Sequence, residues 1–70
     1  MKVFWYVQIE KYASGTVKAA VLREKMAESC PQSIYKREPY REIFGEWFES
    51  KAIANAIAAQ ANALSKRIAA

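Results

Sequence analysis

Residues 10–28 read Glu10-Lys11-Tyr12-Ala13-Ser14-Gly15-Thr16-Val17-Lys18-Ala19-Ala20-Val21-Leu22-Arg23-Glu24-Lys25-Met26-Ala27-Glu28, and two folds compete for them. Ala13-Ser14-Gly15 has the form of a three-residue hairpin loop. Its third residue takes the left-handed backbone region, which glycine occupies without steric cost. A hairpin about that loop sets Glu10 opposite Lys18, Ile9 opposite Ala19, Val7 opposite Val21 and Tyr6 opposite Leu22. Each such cross-strand pair contributes ~0.2–1 kcal/mol. The rival is a helix over 17–28, a run of good helix formers with Ser14 or Thr16 as N-cap, which gives a β-α-β-β-α order. The hairpin is preferred because several sensible pairs follow from one turn.

Upstream, residues 2–12 are rich in Val, Ile and aromatics and suit a pleated strand. Alternation puts Val3, Trp5, Val7 and Ile9 on one face and Lys2, Phe4, Tyr6, Gln8, Glu10 and Tyr12 on the other. Downstream, residues 27–39 carry Pro31, Ser33 and Pro39 and read as a connection with a short extended piece at 34–37. Residues 40–48 carry two signals. Tyr40, Ile43, Phe44, Trp47 and Phe48 recur at helical spacing after Pro39, while the aromatic content and the central Gly45 favour a strand. The strand over 41–48 is preferred, because a two-stranded hairpin is only marginally stable and gains a third neighbour this way.

Residues 50–68 are the clearest helix. Ser50 is the candidate N-cap. Ile53, Ile57, Ala61, Leu64 and Ile68 form an apolar stripe, and Lys66 and Arg67 in the last turn complement the helix dipole. The many alanines let this helix approach a sheet closely. The expected fold is therefore α+β, a single domain over 1–70. It consists of a three-stranded antiparallel sheet (β-β-β-α) packed on one long C-terminal helix. The expected core is Val3, Trp5, Val7, Ile9, Ala19, Val21, Ile53, Ile57 and Leu64, with Trp47 or Phe48 closing the sheet–helix junction.

Composition narrows function by exclusion. The chain has 70 residues, no His, one Cys, and eleven Lys plus Arg against seven acids, all of them Glu. A Ser-His-Asp or Cys-His site cannot be built without His. A lone Cys30 makes neither an internal disulfide nor a Cys-rich zinc site. No catalytic, cofactor-binding or metal-binding residues are assigned, and no small-molecule substrate is expected. The acidic series Glu42, Glu46 and Glu49 has no accompanying nucleophile and reads as surface. The apolar run after Met1-Lys2 ends at Gln8, short of a secretory core, and no stretch reaches the length of a membrane span. With a free thiol, the cytoplasm is the expected location, and no membrane partner is expected.

An aromatic first strand, then Ser14-Gly15-x-Val17-x-Ala19, then Glu42-Ile43-x-x-x-Trp47-Phe48-x-Ser50 before an Ala-rich helix, resembles short accessory proteins carried by phages and prophages. The resemblance spans residues 3–56 and rests on structural punctuation. It implies a β-β-β-α order and a mobile-element origin, and brings no catalytic residues. A three-stranded sheet with a C-terminal helix also resembles the arm-site DNA-binding domains of phage-type integrases, whose sheet enters the major groove.

Two candidate surfaces follow. If the helix covers the odd-numbered face, then Phe4, Tyr6, Tyr12 and Leu22 lie on a wet reverse face. An exposed aromatic patch there marks an interface for a homodimer or for a host or viral protein. Ordinary cross-strand packing is the plain alternative, and base stacking a third reading that Glu10 and Glu24 oppose. The second surface is basic: Lys11, Lys18, Arg23 and Lys25 are candidate nucleic-acid contacts. The separate segment Lys36-Arg37, with Arg41 nearby, lies in or beside a loop and is interrupted by Glu38 and Glu42. It reads first as solvated loop and second as a phosphate contact. In the expected register Lys18 projects to the face opposite Lys11, Arg23 and Lys25, which weakens that reading. The leading expectation is a non-enzymatic binding protein acting through a protein–protein interface, with a small DNA-binding module as the alternative.

Overall fold

The loop at 13–15 turns the chain as its residue types require. Gly15 has φ 95°, in the left-handed region. The turn closes with Tyr12 N–H donating to Thr16 O at 2.8 Å and Gly15 N–H to Tyr12 O at 2.9 Å. In a computed structural model the chain runs β1 (Lys2–Tyr12), β2 (Val17–Ala27), β3 (Ile34–Glu38), β4 (Arg41–Phe48) and α1 (Lys51–Ala69). The structure describes residues 1–69, with side chains through Leu64. The α1 residues Lys66, Arg67 and Ile68, assigned above to the dipole and the apolar stripe, have side chains outside the described residues.

The fold is α+β with an antiparallel sheet and one C-terminal helix, but the sheet has four strands rather than three, in the order β2-β1-β4-β3. The added strand grows from the extended piece at 34–37. Its five residues pair with β4 through Ile34↔Gly45 to Glu38↔Arg41 across the two-residue turn Pro39–Tyr40. The competing helices over 17–28 and 40–48 do not form. Both segments satisfy their backbone groups in a ladder with the central strand β1, and that tertiary pairing overrides intrinsic propensity.

The β1–β2 register starts as expected, with Glu10↔Lys18, Ile9↔Ala19 and Val7↔Val21, and then slips. The partner of Tyr6 is Arg23, not Leu22, because a β-bulge lies between Tyr6 and Val7 and leaves Leu22 as the extra residue. Every β2 side chain beyond it changes face relative to the unbroken register.

The helix lies over the odd-numbered face. Val7, Ala54 and Ala58 form the buried centre, with Trp5, Ile9, Ala19, Val21, Phe48 and Ile57 packed against it. Ile53 and Leu64, expected in this core, are 54% and 53% exposed. Alanine explains the correction. Ala54, Ala58 and Ala61 are buried, and a face of methyl groups lets the helix axis settle closer to the sheet than a face of Ile and Leu would. Val3 is half-buried at the margin. Ser50 caps α1, its Oγ accepting from Ile53 N–H at 3.2 Å.

Candidate functional site

The face without the helix is built by alternation from β1, β4 and β3, and by the bulge from β2. It carries Phe4, Tyr6, Gln8, Glu10 and Tyr12 on β1, Arg41, Ile43, Gly45 and Trp47 on β4, Ile34, Lys36 and Glu38 on β3, and Lys18, Arg23 and Lys25 on β2. Leu22 joins them, lining a shallow hollow with Gln8, Glu10, Lys18 and Ala20.

This face is not the open aromatic patch expected. Phe4 is 1% and Tyr6 3% exposed. The Tyr6 ring lies across Gly45: a Cβ added there would come within 2.5 Å of its Cε1 and 2.7 Å of its Cζ. Trp47 packs against the ring at a centroid distance of 5.0 Å, and the Arg23 guanidinium sits 5.1 Å from its centre. A glycine on the neighbouring strand thus opens a slot that an aromatic ring fills. Tyr12 is half-buried, and Leu22 remains 52% exposed. The crossing from β2 to β3, residues 28–33, runs past this end of the sheet. Its Cys30 thiol lies 3.7 Å from Trp47 O and is exposed.

Polar groups at the other end form one network. Arg41 Nη1 reaches Glu10 Oε1 at 2.7 Å, and its Nε donates to Glu38. Tyr12 O–H donates to Glu10 Oε1 at 2.6 Å, and Gln8 Nε2 to Glu10 Oε2 at 3.1 Å. Hydrogen bonds from Tyr12 and then Gln8, with the Arg41 charge added, hold the Glu10 carboxyl below its ordinary value despite partial burial. The bond to Glu38 and then that to Tyr12 keep the Arg41 guanidinium more firmly protonated than usual. Arg41 is therefore a structural cation rather than a free one.

The basic residues are sorted differently from the expected arrangement. Beyond the bulge Arg23 and Lys25 stand beside Tyr6 and Phe4, on the same face as Lys18, and Lys11 is the one that lies opposite. The Lys11 Nζ is 5.3 Å from the Phe44 ring centre on the helix side. Lys36 and Arg37 alternate, so only Lys36 shares the basic face. The acidic series does not converge. Glu42 accepts from Tyr35 O–H at 2.7 Å, Glu49 pairs with Lys2 at 3.0 Å, and Glu46 is exposed. The bond to Glu42 pushes the Tyr35 hydroxyl above its ordinary value. Among the described residues no group of three or more His, Cys, Asp and Glu is placed to hold a metal ion.

The helix side has its own open feature. The contacts of α1 lie with β2 and β1 and hardly reach β4. Asn62 fixes this offset seat at the β2 edge: its Nδ2 donates to Ala19 O at 2.9 Å and its Oδ1 accepts from Ala19 N–H at 3.0 Å, as a further strand would. At roughly 100° per residue, Ile53, Ile57 and Leu64 form the helix flank opposite Asn55 and Asn62. That flank overlooks the β4–β3 half, where Phe44 and the 56%-exposed Tyr35 pack at 5.1 Å. The sequence signal for this feature was the width of the apolar helix surface. Nothing in the sequence marked Asn62 as an edge clamp.

No known protein family, curated protein or solved structure matches the chain, so its geometry alone carries the functional reading. Among the described residues no helix is long and apolar enough to cross a membrane.

Proposed function

We propose that this chain is a small non-enzymatic binding protein, of the phage and prophage accessory kind its sequence resembles, that works through a protein–protein interface on the helix side and pairs there with a second copy of itself. The observation that carries the reading is the apolar flank Ile53–Ile57–Leu64, with Ile53 and Leu64 half exposed, beside the β4–β3 strands that α1 hardly reaches.

A second copy fits the vacancy in width and in pattern. Four strands spaced ~4.8 Å apart make a sheet ~19 Å wide, room for two helices ~10 Å across, and the chain supplies one. The helix face directed away from its own sheet is Ala52, Ala56, Ala59 and Ala63, all exposed. In a two-fold sandwich each α1 lays that face on the partner's β4–β3 strands. The Ile–Leu flanks then meet between the helices, and Asn55 and Asn62 stay at the rim. A helix apolar on three sides is one built to be enclosed.

Light scattering tests the reading. Wild type should have about twice the 8.0 kDa chain mass. Ile53→Glu, at an exposed position, should have the mass of one chain with an unchanged far-UV spectrum, and Asn55→Glu should stay dimeric. A monomeric wild type, or a dimer that tolerates Ile53→Glu, overturns the proposal.

A further inference from the structure

The bulge at Leu22 does more than bend a strand. It turns Arg23 and Lys25 onto the helix-free face, where Lys2, Lys18, Lys36 and Arg41 already lie. That makes six cations against three carboxylates, Glu10, Glu38 and the Glu49 that pairs with Lys2. The strand face under the helix holds Lys11 and Arg37 against Glu24, Glu42 and Glu46. The sheet is therefore positive on one side and slightly negative on the other. Arg41 is held by Glu10 and Glu38, and Lys2 by Glu49. Among the described residues Lys18, Arg23, Lys25 and Lys36 have no carboxylate partner. Four unneutralised charges on one flat surface attract a polyanion.

We infer that the helix-free face is a binding site for single-stranded nucleic acid, with backbone phosphates seated on Arg23, Lys25, Lys18 and Lys36. Arg23 and Lys25 are two residues apart on an edge strand, ~6.6 Å along it. Lys18 continues the column on the same edge. Lys36 stands three strand spacings away, ~14 Å, in the row Lys18–Glu10–Ile43–Lys36, so a strand crossing the sheet meets charge at both sides.

Width decides between single strand and duplex. The sheet is ~19 Å across by the same spacing and cannot enter a major groove ~12 Å wide, which admits a helix or a two-stranded ribbon. A flexible single strand lies on the surface instead. Ring availability sets the character of binding. Phe4 and Tyr6 are buried, so only the half-buried Trp47 and Tyr12 can offer edges to bases. Phosphate contact dominates, and sequence preference is small. An anionic membrane is the poorer partner, because it asks for a broad apolar surface to insert. The large exposed apolar side chains on this face are Leu22 and Ile34, at opposite edges.

The test is fluorescence anisotropy with fluorescein-labelled dT20 across 20–200 mM NaCl. Four phosphate contacts on a single strand predict a log–log salt slope of about −3, hence a ~600-fold loss of affinity over that range. Arg23→Glu/Lys25→Glu should weaken binding at least ~10-fold and halve the slope. Lys11→Glu/Arg37→Glu, which changes charge equally on the other face, should leave the slope unchanged. The Ile53→Glu variant should still bind dT20, which separates this site from the helix-side interface. The inference is overturned by no binding at 20 mM NaCl, by equal loss in the two charge-reversal pairs, by a 20-base-pair duplex that outcompetes dT20, or by tighter binding to phosphatidylserine vesicles than to dT20.

Discussion

Replacing Gly45 by alanine tests the packing on which the helix-free face depends. A methyl at this position would come 2.7 Å from Tyr6 Cζ and closer still to the hydroxyl oxygen. Two responses are open to the molecule. If the ring stays, backbone and ring must separate, and such overpacking costs ~1–3 kcal/mol. If the ring swings out, the Trp47 contact is lost at ~0.5–1.5 kcal/mol. The Arg23 contact is lost too, at ~0.5–1 kcal/mol. Alanine returns ~0.5–1 kcal/mol by restricting the unfolded chain. Either route nets about 1 kcal/mol of destabilisation, a sizeable part of the ~3–5 kcal/mol that one core supplies at this size. Urea unfolding followed by far-UV circular dichroism reads it directly, and the melting temperature should fall ~4–8 °C. The Tyr6→Ala background isolates the cause, because the added methyl then meets open space and Gly45→Ala should become neutral or mildly stabilising. A single variant within ~0.5 kcal/mol of wild type, or an equal loss with and without the Tyr6 ring, would refute the argument.

Two further outcomes follow from named contacts. Asn62→Ala removes both hydrogen bonds to Ala19 and should cost about 1 kcal/mol, with faster amide exchange at Ala19; unchanged protection there would show that the edge is held by something else. Glu10 gives a pH dependence. Its folded carboxyl lies below the ordinary 4.5, so its contribution to stability is complete above that pH and is lost as pH falls through the lowered value. Glu10→Gln should be less stable than wild type at pH 7 and lose less between pH 7 and 3. Parallel urea midpoints at the two pH values would contradict the network.

How much was legible in the sequence depends on the range of the forces involved. The turn at Gly15, the Ser50 cap and the spans of β1 and α1 are set by neighbours within a few residues, and the sequence carried them. By contrast, β2 and β4 had helical rivals and were preferred only through their pairing with β1. The odd-numbered face under the helix was legible too, through the period of two. The bulge was not. Leu22 and Arg23 offer no turn residue or glycine, and the register slips because the Tyr6 ring, the Arg23 guanidinium and the Gly45 slot fit together across three strands. That arrangement is invisible along one of them. From that slip came the misplacement of Arg23 and Lys25. Burial of Phe4 and Tyr6 was missed for a related reason: alternation tells which side a residue faces, not what crosses over it. The fourth strand was missed because Pro31 and Pro39 bracket a segment too short to show a period of its own.

The offset seat of α1 ties the two faces together. A helix carrying Ile53, Ile57 and Leu64 on one flank would shelter them best at the middle of the sheet, over β1 and β4. It sits instead over β2 and β1, where three alanines permit close approach and Asn62 satisfies an edge that would otherwise present open backbone groups. The same side chain therefore blunts one sheet edge and leaves half of the sheet uncovered on the helix side. Stability and vacancy have one cause. The vacancy sets the Tyr35 and Phe44 rings among Glu42, Glu46 and Arg37 and is slightly negative, while the reverse face is positive, so the two proposed surfaces would call for different partners and would not compete. A dimer closed through the helices would turn both basic faces outward.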